Sequence, residues 1–455
     1  MRRLILPILL LFSVIYCAFA VQVESDGNKI IYLRHADKFI NVDSSIGVVR
    51  RLIGNVWIEQ GDIVLKSNRA IQFLATNITE MTGDVRITQR EFILKSPYII
   101  YHGNSRLADA DLHVRIEDGN MTLDADKGKY SMNSQIADFY GNVVIDDDSV
   151  RITSEIINFD RTTQISRAYG NVEVRGKFTN ALLFGDTVMN YPKRQYSIVI
   201  GRPLLYQIDT IKTDKKHIDS ISNEQIFKFD TLSISSDTME SDRKMGEEIY
   251  LFSGNVELVK GKLKAVVDKC VYNKRTQKIT LLGKPVVWFE QTQLHSDSLI
   301  VMDFPKDADS YINSYGKSFA SMYDDSTTSE TVALKDRIQQ LSGEEIKIMI
   351  SNDSVRSIQS TGDAKSLYFM ISDDGGEGVD RKGSDTIVID FSEGVPENIF
   401  WYGGVEGEFI PEIMIYSDVK KWYLPDFKRS DKEPQRRSPA NRKNAVLNST
   451  DIKDQ

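Results

Sequence analysis

Cysteine is almost absent: Cys17 and Cys270 are the two among 455 residues. That scarcity excludes a disulfide framework, a cysteine zinc site and an iron-sulfur cluster. Histidine is nearly as rare, and His35, His102, His113, His217 and His295 show no H-x-x-x-H spacing, so no imidazole metal centre is expected. Lys and Arg number 57 against 65 Asp and Glu, a net charge of −8, and the positive runs gather at the far C-terminus. No basic face for nucleic acid is expected. The sequence also lacks a G-x-G-x-x-G leading into a helical pattern and a G-x-S-x-G elbow. Asp146-Asp147-Asp148 lacks the glycine and distant glutamate of a calcium loop, and no pair among the acids stands out for glycoside hydrolysis. Helical periodicity is confined to short pieces near Ser329 to Leu341, and beyond residue 20 no apolar run reaches the roughly 20 residues of a membrane-spanning helix.

What is present begins with Met1-Arg2-Arg3, an apolar run from Leu4 to Ala20, and the small-x-small end Ala18-Phe19-Ala20. This reads as a secretory signal peptide over residues 1–20. The bulky Tyr16 ahead of Cys17 speaks against a lipoprotein attachment site.

A repeat dominates the rest. Gly54-Asn55-Val56 recurs as Gly83-Asp84-Val85, Gly141-Asn142-Val143, Gly170-Asn171-Val172 and Gly254-Asn255-Val256, at intervals of 29 residues or twice that within the first four. Val114-Arg115-Ile116 fills the gap in register without its glycine, and Gly283 stands 29 residues after Gly254. Nine residues after each valine lies an apolar residue, as at Leu65, Leu94, Leu123 and Ile152. The strand beginning at each valine alternates with period two, as in Val56 and Ile58, which means a half-buried β-strand. Gly-Asn and Gly-Asp ahead of a strand are turn chemistry. The expected fold is therefore all-β, tandem arrays of antiparallel strands with a ~29-residue repeat.

Along the chain, residues 21–205 read as the first array, 206–226 as a polar linker, and 227–425 as a second, partly degenerate array. The second array is interrupted by an insertion loop at 303–330, with weak copies at Gly362-Asp363-Ala364 and Gly403-Gly404-Val405. Residues 426–455 read as a disordered polar tail.

Successive Gly-Asn-Val strands, each followed by a strand such as Leu123-Asp124-Ala125-Asp126 or Ile152-Thr153-Ser154-Glu155, together with Leu33-Arg34-His35-Ala36-Asp37, resemble the OstA-like, LptA-type family. The long two-array form resembles its Bacteroidetes-type members. The resemblance implies a folded-over β-jellyroll with a hydrophobic interior, and a non-enzymatic periplasmic role in bridging lipopolysaccharide to the outer membrane, without a cofactor. Ser67-Asn68-Arg69-Ala70 departs from the acidic strand signature.

The inward rows are the site expected to line a trough for lipid A acyl chains. They comprise Val56, Ile58, Leu65, Val85, Ile87, Leu94, Val114, Ile116, Leu123, Val143, Ile145, Ile152, Val172 and Val174. Arg86 and Arg115 share one repeat position and either meet lipid phosphates at the trough mouth or sit on a solvated face. The partners the resemblance implies are lipopolysaccharide and similar β-jellyrolls of an inner-membrane complex and an outer-membrane translocon, joined by edge-strand addition, with head-to-tail self-assembly as a further form. From the pattern alone two other readings stand: an exported structural or adhesive β-solenoid, in which the same rows merely pack, and a polysaccharide-active β-helix enzyme.

Overall fold

The computed structural model describes residues 30–437, apart from 46, 149, 179–180, 213–226, 245–247, 306–307, 324–336, 352–353, 372–376, 393–394 and 416–417. The signal peptide expected over 1–20 lies outside the described residues. Among these residues the fold is all-β, with antiparallel strands and short 3-10 turns but no α-helix. The chain divides into two units after Pro203.

In the first unit each period is a pair of long strands. Gly47–Gln60 returns as Ile63–Phe73, and Ile78–Gln89 returns as Phe92–His102. Each is kinked near its middle, where the pairing register slips: between Ile53 and Val56, between Lys66 and Arg69, and between Thr82 and Val85. Such a β-bulge bends the strand and sharpens its twist. The turns at opposite strand ends are thereby brought together, with Gln60 Nε2 donating to the carbonyl of Gly103 at 2.9 Å. One run of bent strands thus forms two facing walls, joined along a spine of bulges and meeting again at a seam.

The repeat signature is the spine. Gly141 takes φ of 76° and Asn142 46°, and the other Gly-Asn and Gly-Asp copies match them within a few degrees. Two consecutive left-handed residues suit glycine followed by Asn or Asp. Space demands glycine as well, since a Cβ at Gly141 would fall on the Asp126 carboxylate and one at Gly170 on Glu155. The neighbouring amide is held by the same acid: Asn142 Nδ2 donates to Asp126 at 2.9 Å and Asn171 to Glu155 at 2.7 Å. This is why an acidic residue closes the Leu-x-(Ser/Ala)-(Asp/Glu) strand. Where the glycine is missing the strand breaks, into Leu107–Leu112 and Val114–Asp118, leaving His113 at φ of 27° between them.

Three regions of the second unit depart from expectation. Leu204–Lys212, expected mostly as linker, is a strand paired with Phe227–Ser235, because Leu204 and Leu205 are buried and start the alternation. Ser310–Tyr323, expected within an insertion loop, is a 14-residue strand that carries its own bulge at Gly316-Lys317. Ile338–Ser351 is likewise a strand, where the end of a helical piece was expected.

The tail differs most. Its described part, 426–437, runs back across the outer face of the second unit. Phe427 packs edge-on against Phe319, Ser430 exchanges two hydrogen bonds of 2.7 Å with Gln293, Glu433 pairs with Lys264, and Arg437 pairs with Glu257. Together with Ile415, Val419 and Leu424 upstream, it covers Phe319, Leu367, Phe369 and Val379. Polar composition hid this strap, because its backbone and charges are satisfied by side chains of the strands it crosses.

Candidate functional site

The fourteen expected lining residues all face the interior of the first unit and are at most 3% exposed. Direct cross-strand pairing joins nine of them into one ladder: Ile58, Leu65, Ile87, Leu94, Ile116, Leu123, Ile145, Ile152 and Val174. Leu33 extends it at one end and Leu183 at the other, so eleven strands contribute one apolar side chain each. At about 4.8 Å per strand the ladder runs about 48 Å.

The other lining residues form a second row nearer the spine, in which valine faces a small residue. Val56 is opposite Ser67, Val85 opposite Ser96, Val114 opposite Ala125, Val143 opposite Ser154 and Val172 opposite Gly185. Sequence reading singled out the valines and missed their small partners, although the Ser/Ala position of the strand signature marked them. It also missed the opposite wall, where Met81, Ile99, Tyr101, Tyr130, Phe139 and Ile157 are buried.

The walls are in contact. A gap of about 10 Å³ lies between them beside Ile145, Ile152 and Ile157. That gap has room for no more than a water molecule.

Polar groups close the seam opposite the spine. Gln60, fully buried, accepts the Tyr101 hydroxyl, and Arg106 donates to the Gln60 carbonyl at 3.0 Å while standing 3.5 Å from Asp62. Further along, Arg161 pairs with Asp118 at 3.0 Å, donates to the Tyr130 hydroxyl at 3.1 Å, and lies 5.1 Å from the centre of the Phe92 ring. Burial raises the Tyr101 and Tyr130 phenols above their ordinary values, so both remain hydroxyls. Thr79 Oγ1 and an oxygen each of Gln72 and Gln89 are buried along this seam without a partner. Unsatisfied polar atoms make the seam weaker than the apolar walls it joins.

Arg86 and Arg115 project from the outer face of the wall, away from the interior, because they alternate with Val85, Ile87, Val114 and Ile116. They do not stand at a mouth of the trough. No cluster of His, Cys, Asp and Glu suited to a metal occurs among the described residues.

The second unit has its own ladder, from Ile234 through Leu258, Ala265, Val287, Leu294 and Ala320 to Leu341. It ends in polar groups. Ser366 follows Leu341 and Lys382 follows Ser366. Trp401 Nε1 donates to Ser366 at 3.1 Å, and the Lys382 ammonium sits 3.9 Å from the centre of the Trp401 ring. Next to this cap lies an apolar cavity of about 40 Å³, lined in part by Leu341, Ile358, Ile389 and Ile399 and too small for an acyl chain.

No helix among the described residues is long and apolar enough to cross a membrane. No curated protein matches the chain. Residues 28–186, which span the bulges, the apolar ladder and the seam, match the family model described as OstA-like protein. Over these residues the first unit is similar to OstA-like proteins.

Proposed function

We propose that this protein binds lipopolysaccharide and carries it toward the outer membrane, with acyl chains held between the walls of the first unit. An OstA-like domain goes with a role in lipopolysaccharide transport, and the family's work is transport rather than catalysis. The observation that carries the reading is the unbroken ladder from Leu33 to Leu183. Each buried methylene contributes about 0.8 kcal/mol, so near-identical rungs hold an acyl chain strongly while making steps along the row almost equal in energy. Loading requires the walls to part, and the seam is where they part, since the spine is held by the backbone. The chain is exported by residues 1–20 and works in the periplasm.

Partners join at strand edges. Tyr32–His35 and Lys38–Ser44 each pair only with Gly47–Gln60 among the described residues, and Phe39 beside that edge is 60% exposed. Val395–Tyr402 and Glu406–Pro411 each pair only with Glu377–Ser392 among the described residues, and expose Phe400, Tyr402 and Phe409. The first edge exposes Tyr32, Phe39, Ile40 and Val42 as well. Unpaired strand edges beside exposed apolar side chains suit strand addition by a similar jellyroll, a second copy included.

The near-complete burial of the fourteen lining residues favours one other reading, an exported structural β-solenoid without lipid. Photocrosslinkers at Val85, Val114 and Val143, followed by mass spectrometry of co-purified lipid, separate the two. Transport gives lipid A adducts at all three positions. Their reproducible absence leaves the solenoid.

A further inference from the structure

On the outer face of the first unit five side chains stand directly opposite one another across successive strands. Trp57 is beside Lys66, Lys66 beside Arg86, Arg86 beside Lys95 and Lys95 beside Arg115. Directly opposed like charges destabilise a sheet. The flanks of the row are balanced: Arg115 reaches Asp124 at 2.8 Å, Lys95 reaches Glu117, and the Lys66 ammonium lies 5.1 Å from the centre of the Trp57 ring. Arg86 is exposed between two lysines and makes no hydrogen bond or ion pair among the described residues. Elsewhere on the same face Arg151 pairs with Asp146 and Arg175 with Glu173. The Arg86 charge between two lysines opposes folding, and no ion pair among the described residues offsets it.

We propose that Lys66, Arg86 and Lys95 form a binding site for a phosphate-bearing anion, with the Trp57 ring at its border. The Arg86 guanidinium offers a planar fork for two oxygens, and an ammonium on either side, about one strand spacing away, takes the remaining charge. A phosphate monoester or pyrophosphate, with about two charges and several acceptor oxygens, uses all three cations. A lone carboxylate satisfies Arg86 only. Because the row points away from the apolar interior, the site stands whether or not acyl chains enter between the walls. A lipid headgroup and a soluble phosphate compound share this chemistry.

The test uses the full chain at low ionic strength. Inorganic pyrophosphate is titrated in a calorimeter, and flotation is followed with phosphatidylcholine vesicles, plain or doped with phosphatidic acid. At least one probe is expected to bind, with affinity falling as salt screens the site. Arg86→Gln is expected to weaken binding about tenfold or more, Arg86→Lys less, and Arg151→Gln not at all. Without an anion, Arg86→Gln is expected to melt at the same temperature as the parent or higher, since it removes repulsion. Binding of pyrophosphate alone identifies a soluble phosphate, and selective flotation with phosphatidic acid identifies a headgroup. The site is overturned if neither probe binds, if Arg151→Gln loses as much as Arg86→Gln, or if Arg86→Gln melts lower in anion-free buffer.

Discussion

Asn68 and Asp84 form the same spine pair as Asp126 and Asn142 with the two side chains exchanged. Asn68 Nδ2 faces Asp84 Oδ2 at 3.5 Å, whereas Asn142 Nδ2 donates to Asp126 at 2.9 Å. The departure of Ser67-Asn68-Arg69-Ala70 from the acidic signature is therefore compensated one strand later, by an acid in place of the bulge asparagine.

A double-mutant cycle checks this exchange. Asn68→Asp alone sets two carboxylates against each other and is expected to lower stability by about 0.5–1 kcal/mol, the scale of exposed charge pairs. Adding Asp84→Asn recreates the arrangement of the later repeats and is expected to restore the loss. Urea unfolding of the four proteins measures the coupling. Additive effects would show that the two side chains do not interact.

A turn glycine and a spine glycine separate conformation from space. Gly119 has φ of 59° with nothing near its missing side chain, whereas Gly141 has φ of 76° and its Cβ would strike the Asp126 carboxylate. Gly119→Ala is expected to cost about 1 kcal/mol for the left-handed backbone. Gly141→Ala is expected to cost at least about 2 kcal/mol, since the bulge or its acid must also move. Equal losses in thermal unfolding would remove the crowding argument.

These bulges also explain what the sequence made legible. Glycine followed by Asn or Asp signals two left-handed residues, and its recurrence disclosed the array, the strand alternation and the inward valines. Gly201-Arg202 and Gly316-Lys317 have the same geometry, with φ of 77° and 51° and of 81° and 43°, but arginine and lysine do not advertise it. At the first of these Arg202 reaches Asp186 at 3.0 Å, so a long cation does the work of the asparagine amide. The strap was illegible for another reason. Its anchors, such as Ser430 on Gln293 and Arg429 on Ser321, are single polar contacts across long sequence separations, and local periodicity carries no trace of them.

The strap predicts a local loss. Leu424 is buried at 3% exposure in the cluster with Phe369 and Val379. Leu424→Ala is expected to cost about 2–4 kcal/mol, as truncated core leucines do. Hydrogen exchange should accelerate at amides under the strap, such as that of Phe369, while that of Val85 in the first unit keeps its protection. Uniform acceleration in both units would contradict a strap that acts on the second.

The same strap makes the second unit sensitive to acid. Burial, with Lys428 and Arg429 close by, holds the His295 imidazole down at about 4, against an opposing pull from Asp297. The unfolded chain, with an ordinary value near 6.5, then binds a proton that the folded chain refuses. This contribution to stability is fully present above about pH 6.5 and is lost as pH falls toward 4. His295→Gln is expected to flatten that part of the stability profile between pH 7.5 and 4.5, measured by urea unfolding. An unchanged slope would assign the acid sensitivity to other groups.

Asp118 and Arg161 decide whether the seam is a gate or only a closure. Asp118 is 9% exposed and meets Arg161 at 3.0 Å, while the Tyr130 hydroxyl and the Phe92 ring also touch the guanidinium. Asp118→Ala leaves a largely buried cation with neutral partners and is expected to cost about 2–3 kcal/mol. The sign of a second readout carries the argument. If acyl chains enter by parting the walls here, weakening the latch lowers the energy of the open state relative to the closed one. Lipid crosslinking from Val114, at the other end of the strand that carries Asp118, then rises even as the melting temperature falls. If the walls are simply a core, stability falls and crosslinking stays at background. Arg106→Gln, which removes a guanidinium contact from the first-repeat seam, should behave in the same direction at Val85. A rise at both positions with lower stability is not produced by generalised unfolding when amides of strands paired on both sides, such as that of Thr153, keep their exchange protection. A fall or no change in crosslinking at both would mean that lipid, if carried, enters elsewhere.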